Sequence, residues 1–403
     1  MPRKKSIAVI LAAVLGVSVI LAACQPRPTA VPAVTSQPTQ APTLLPTISI
    51  TPVEANELER AEVNLANLEL ANVPENRLEV IAEKYIGKSI PSPYFPDPDA
   101  PYSVGARKQF YVGNQDTNET FQIFANLVYR TAHAYLWIED NVAFDQQAAQ
   151  RLMDTFEDEI YPTNRKFFGS EWSPGIDGDE RIFILYARDI GTRVAGVFSS
   201  GDSVHPDASK FSNAHEIFVL NARTIGLEED FTYGVLAHEF QHMIHWANDR
   251  NEDSWLEEGF SELASFLNGY SVGGHDYAFA VEPDLQLNDW PTEPNQRSGH
   301  YGASFLFVAY FLERFGADAT QALVANPLNG LASVDDTLSA LQLRDPRNGE
   351  AVSADEFFRD WTLANFLMDT SLEDGRYGYT GYANAPRVGA SESLGVCPPD
   401  WQT

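Results

Sequence analysis

Residues 236–246 read LAHEFQHMIHW. On a helix, positions four apart share a face, so His238 and His242 point the same way and can bind one zinc ion together. Glu239 follows the first histidine, where its carboxylate can reach a water held by that metal. Zinc lowers the pKa of such a water to about 7, and a nearby carboxylate can take its proton as it attacks a polarised carbonyl. The chemistry this trio supports is metal-assisted hydrolysis, with Glu239 as general base. Val235, Leu236, Phe240, Met243 and Ile244 give the same helix apolar faces to bury in a core.

A catalytic zinc normally has three protein ligands and one open position. Residues 254–262 read SWLEEGFSE. Ser254 and Glu257 have the spacing of a capping box, which gives Glu257 a structural task at a helix start. Glu258 is then free, with fifteen residues between it and His242, and is the expected third ligand. Glu257 and Glu262 are the alternatives. Glu262, one turn further on, is expected to orient a ligand histidine through its other ring nitrogen, or else to lie on a solvated helix face. His245 is not expected to join, since it lies about 10 Å along the helix axis from His238. IDGDER (176–181) lacks the spacing of a calcium loop and reads as a polar turn. His133 and His215 are lone histidines and read as structural.

HEFQH followed by WLEEGFSE resembles the glutamate-zincins. It is most similar to the hyicolysin-like bacterial metallopeptidases and shares WLxEGF with the aminopeptidase N-like family. The resemblance covers about residues 180–315. It implies that the glutamate before the glycine, Glu258, is a zinc ligand. It also implies a zincin-like α+β fold: a small mixed β-sheet, an active-site helix beneath it, and a mainly helical C-terminal subdomain. The gap from His242 to Glu258 is shorter than in aminopeptidase N-like enzymes, and no GAMEN-type sequence is present, which argues against an aminopeptidase. Such enzymes use a tyrosine or histidine to stabilise the oxyanion. His300 and Tyr301 open a helical stretch, and Tyr301 is the expected residue. The edge strand that pairs with substrate is expected to be EIFVLNA (216–222).

The elements that must position these groups follow from periodicity. Residues 54–87 carry helical spacing with a break near Pro74. KQFYV, FQIFANLVYR and AHAYLWIE, within 107–139, alternate as strands. Residues 143–161 read as an amphipathic helix, and RIFILYA (181–187) as a buried strand. Helices are expected at 232–248, 254–269, 300–315, 318–326 and 354–368.

The N-terminus reads as an address. Arg3, Lys4 and Lys5 precede an uncharged apolar stretch, residues 7–22. Leu21-Ala22-Ala23-Cys24 resembles a bacterial lipobox, which implies cleavage before Cys24 and a lipid on its sulfur. An uncleaved transmembrane anchor is the alternative. Residues 25–53 hold seven prolines and six threonines, a composition suited to an extended tether of up to roughly 90 Å. The expected organisation is a signal peptide at 1–23, a tether at 24–53, a helical segment and connection at 54–104, an α+β part at 105–250, a helical part at 251–376 and a loop-like tail at 377–403 that reads as truncated. Cys397 has no evident partner. With 56 acidic against 27 basic residues, the net charge is −29, which excludes a nucleic-acid backbone as partner. These features together point to a zinc-dependent endopeptidase acting on protein or peptide and anchored by lipid outside a bacterial membrane. The alternatives are a non-catalytic binding lipoprotein on the same fold, or a zinc hydrolase acting on a cell-wall amide.

Overall fold

In the computed structural model, residues 60, 63–65 and 77–389 are described. The chain divides into two units, 1–72 and 73–403. Of the first, the described residues 60 and 63–65 are helical. The expected leader, Cys24, the expected tether, most of the expected helical stretch before residue 77, Cys397 and the end of the tail lie outside the described residues. Among the described residues, no helix is long and apolar enough to cross a membrane.

The second unit starts with a short helix, α1 (Leu78–Ile86). A mixed sheet follows, built from β1 (Arg107–Gly113), β2 (Thr120–Arg130), β3 (Ala134–Glu139), β4 (Ile182–Ala187), β5 (Gly196–Phe198) and β6 (Ile217–Asn221) in the order β1-β2-β3-β4-β6-β5. The first three strands are antiparallel, with Phe110 opposite Ile123. β3, β4 and β6 run parallel, with Leu136 opposite Ile184 and Ile184 opposite Phe218. β5 returns antiparallel on the outside of β6, with Val197 opposite Val219. Every residue of β4 and β6 is buried, as expected for parallel strands covered on both faces. One face carries Phe110, Trp137, Phe183 and Val219 with Tyr102 laid over them. The other carries Leu136, Ile184 and Phe218, whose cluster runs on into the helices.

EIFVLNA therefore does not form the edge. Its core, β6, is an interior strand, and the edge is the three-residue β5. The reason is visible in β6 itself: five consecutive buried residues leave no polar side to face water.

The stretch 143–161 is helical in two pieces. α2 (Gln146–Thr155) is capped by Asp145, whose carboxylate accepts the Ala148 N–H. A π turn at Phe156–Ile160 leads into α3 (Tyr161–Phe168). Pro162 in the first turn of α3 has no N–H to donate, which loosens the ladder where the π turn sits.

The helical half comprises α4 (Asp230–Asn248), α5 (Ser254–Leu267), α6 (His275–Val281), α7 (Ser298–Val324), α8 (Gly330–Ala340) and α9 (Ala354–Leu367). α7 is broken at Gly316, which takes φ 81°, ψ 177°, so its two arms match the two expected helices. α6 and α8 have no counterpart in the expected set. α9 carries a true capping box between Ser353 and Glu356. α5 does not: its N-cap is Asp253, with no side-chain cap bond. The chain is still extended at Asp253, so Ser254 is already the first helical residue and its hydroxyl comes one position late to cap.

Candidate metal centre

α4 packs against α5, and the two present their side chains to a common point. His238 Nε2 and His242 Nε2 are 3.1 Å apart. Glu258 Oε2 lies 3.3 Å from each. Among the described residues these three form the one group of His, Cys, Asp or Glu side chains close enough to hold a metal ion. Two ligand atoms at 2.0–2.1 Å from a tetrahedral zinc stand about 3.3 Å apart, so the triangle has the size such an ion requires. Glu258 Oε2 is buried and has no hydrogen-bond partner. A buried carboxylate oxygen left bare costs free energy unless a cation shares it, so the donor set fits a divalent metal.

The tautomers also suit a metal. Ser261 donates its O–H to the Gln241 side-chain oxygen. Its oxygen, 3.1 Å from His242 Nδ1, is then an acceptor, so His242 carries its proton on Nδ1 and turns the Nε2 lone pair inward. Glu257 Oε1, released from capping, stands 3.5 Å from the same Nδ1 and supports that tautomer. His238 Nδ1 faces Glu262 Oε1 at 3.9 Å, and Glu262 makes its hydrogen bond to His275 Nδ1 at 3.0 Å. Glu262 is buried, so it does not lie on a solvated face.

Burial alone would lower the histidine pKa values, but Glu258 beside both raises His238 and takes His242 well above the usual range. Burial would likewise raise Glu258, yet the two imidazoles hold it well below the ordinary carboxylate range. Glu239 is pushed up by burial, against the pull of the two histidines. Its carboxylate accepts the Phe198 N–H of β5. A Cβ on Gly196 would come within 2.7 Å of Glu239 Oε1, so only glycine lets the edge strand lie this close.

Tyr301 reaches the site from the first turn of α7. Its hydroxyl is 3.2 Å from Glu258 Oε1, and its ring stacks on His275 with centroids 4.9 Å apart. His300 is not brought to the cluster. It is buried against Trp290. His245 is buried edge-on to Phe260 and stands outside the group. His133 pairs with Glu157 and His215 with Asp177 of the IDGDER turn, both away from the metal centre. Sequence spacing brought forward His238, Glu239, His242 and Glu258, the family resemblance brought forward Tyr301, and all five meet here. It gave no role to Ser261, although Ser261 stands inside SWLEEGFSE, and none to Gln241, His275 or β5.

A mixed sheet, a helix with two inward imidazoles and a second helix returning a carboxylate make up the candidate metal site. No family model matches the chain. Over 299 residues it is 23% identical to the neutral metalloprotease ShpI of Staphylococcus hyicus, an alignment covering 68% of this chain and 65% of that one. The chain thus spans less than two thirds of that relative's length. Among solved structures it is similar to an M1 zinc metallopeptidase from Deinococcus radiodurans, at 14% identity and a TM-score of 0.34 over 64% of this chain and 60% of that one. The likeness drawn from HEFQH and WLEEGFSE thus has a counterpart in a named metalloprotease.

Proposed function

We propose that this chain is a zinc-dependent endopeptidase of the HExxH…E type, in which His238, His242 and Glu258 hold the metal and Glu239 is the general base. The observation that carries the reading is the 3.1–3.3 Å triangle of two imidazole nitrogens and an unpartnered carboxylate oxygen, with a second carboxylate, the buried Glu239, beside it. Zinc bound there would supply a Lewis acid for the scissile carbonyl and would bring the pKa of a bound water to about 7. Glu239, raised by burial, is placed to take the proton of the attacking water and pass it to the leaving amine. Tyr301 is the oxyanion donor. Burial and then the Glu258 charge hold its phenol well above its ordinary pKa, so its O–H is available throughout the working range. The outer edge of β5, where the Gly196 backbone faces outward, receives the substrate backbone as an added strand. Lipidation of Cys24 and the proline tether would hold this body outside the membrane.

The test is metal analysis and a casein-cleavage assay of the full chain beside Glu239→Gln. About one zinc per chain in both proteins, with cleavage at least 100-fold slower in the variant, is the expected result. A wild-type chain that takes up no zinc would end the reading.

A further inference from the structure

Beside His238 and Glu239 the site opens into a cavity of about 200 Å³. Its apolar wall is Phe231, Val235 and Val272, and Arg193 lines it from the segment that leads into β5. Arg193 is exposed and makes no hydrogen bond or ion pair with any described residue. That is unusual in this chain. With 56 acidic and 27 basic residues, nearby arginines find carboxylates: Arg181 takes Asp179, Arg188 takes Glu139 and Arg223 takes Asp189. The two carboxylates in the cavity are already engaged, Glu239 by the Phe198 N–H and Glu262 by His275. A guanidinium is thus left with its donors free at a cavity beside the candidate metal.

Its place fixes which part of a peptide it meets. A peptide added antiparallel to β5 has its C-terminal half beside the N-terminal end of that strand. Arg193 is three residues before Gly196, where β5 starts, so it stands on the leaving-group side of the bond. We propose that Arg193 is a specificity-determining residue that binds a carboxylate on the C-terminal side of the scissile bond, next to an apolar side chain seated against Phe231, Val235 and Val272. The inference rests on the peptidase reading of the site. The carboxylate belongs to an Asp or Glu side chain or to the free C-terminus of a short peptide, since the planar fork of arginine grips both through paired N–H donors. In a protein of net charge −29, an anionic group would be repelled without such a local cation.

Internally quenched peptides with Leu after the scissile bond separate the sources. Two carry Asp or Asn at the next position, and two end at that position as free acid or as amide. Hydrolysis is measured with the zinc-loaded full chain, and binding of the same peptides with its Glu239→Gln variant. The wild type is expected to favour one acidic member over its neutral twin by about tenfold, weakening with salt. Arg193→Ala should abolish the preference, and Arg193→Glu should invert it toward Lys at the same position. Preference within the Asp/Asn pair assigns a side chain, and preference within the acid/amide pair assigns the C-terminus. Equal treatment of both pairs in hydrolysis and binding would overturn the inference and leave the peptidase reading standing. Acid-selective binding without hydrolysis would do the reverse.

Discussion

At the residue scale, the candidate site is settled by which nitrogen of each imidazole carries its proton. Ser261 decides this for His242, because its only hydrogen has the Gln241 side-chain oxygen and the Glu257 carbonyl as acceptors and toward the ring nitrogen its oxygen accepts. Removing that acceptor frees the ring to rotate or to protonate on the metal side. Ser261→Ala is therefore expected to weaken zinc binding about 10- to 100-fold, read by competition with a chromophoric chelator while the far-ultraviolet spectrum stays that of wild type. Unchanged affinity would mean that Glu257, 3.5 Å from the same nitrogen, is enough by itself. Gly196 tests the base instead of the ligands. A methyl group there would meet Glu239 Oε1 and Val235 Cγ1, each at 2.7 Å, and the glutamate must turn aside. Gly196→Ala should lower kcat/KM by tenfold or more with zinc content unchanged, and full activity would show that Glu239 does not need its present position.

At the element scale, four helices converge on the site, and α6 and α7 approach each other most tightly at Gly302. A Cβ on Gly302 would lie 2.0 Å from the His275 carbonyl oxygen and 2.4 Å from its carbon. Backbone cannot yield as a side chain tip does, so Gly302→Ala must push α6 away and with it His275, which holds Glu262 and stacks on Tyr301. A loss of about 1–3 kcal/mol is expected, seen as a melting temperature several degrees lower, together with slower hydrolysis. An unshifted melting point would show that α6 is loosely held. The same elements mark what the sequence could reveal. α4 and α5 are long and apolar on one face, so their periodicity was legible along with the ligands they carry. α6 has seven residues and β5 has three, too few for any period to show. Their places are set by packing across the molecule, and no spacing in the sequence ties His275 to the site. Ser254 and Glu257 were misleading because a capping box needs its serine just outside the helix, and only the backbone at Asp253 shows where that boundary falls.

At the scale of the whole molecule, several carboxyl groups outside the candidate metal donors are held away from water. Glu216 is pushed up to about 8 by burial and by the neighbouring Asp177, although both its oxygens lie 3.2 Å from the Ile176 N–H. Burial takes Asp202 to about 7 against two contacts from Asn213, and Glu252 to about 7 against the Gly330 N–H. Each has a folded pKa above its unfolded value near 4. Between those values the folded chain binds more protons than the unfolded one, so stability is greatest at the acid end of this window and falls as pH rises through 7 to 8. The metal-free histidines, also raised, act in the same sense. Asp374 has the opposite sign. Its hydrogen bond to Arg376 lowers it to about 2, so its contribution is present above about 4 and is lost as pH falls toward 2. The chelator-treated protein should accordingly melt several degrees higher at pH 5.5 than at pH 8.5, and lose stability again below pH 4. Rising net negative charge alone would also tilt the profile this way, so the share due to buried groups is read from Glu216→Gln. That variant keeps the shape of the carboxyl without its proton and should flatten the decline above pH 6. A melting temperature that climbs from pH 5.5 to 8.5 would show that these groups stay ionised in the folded chain and are reached by solvent.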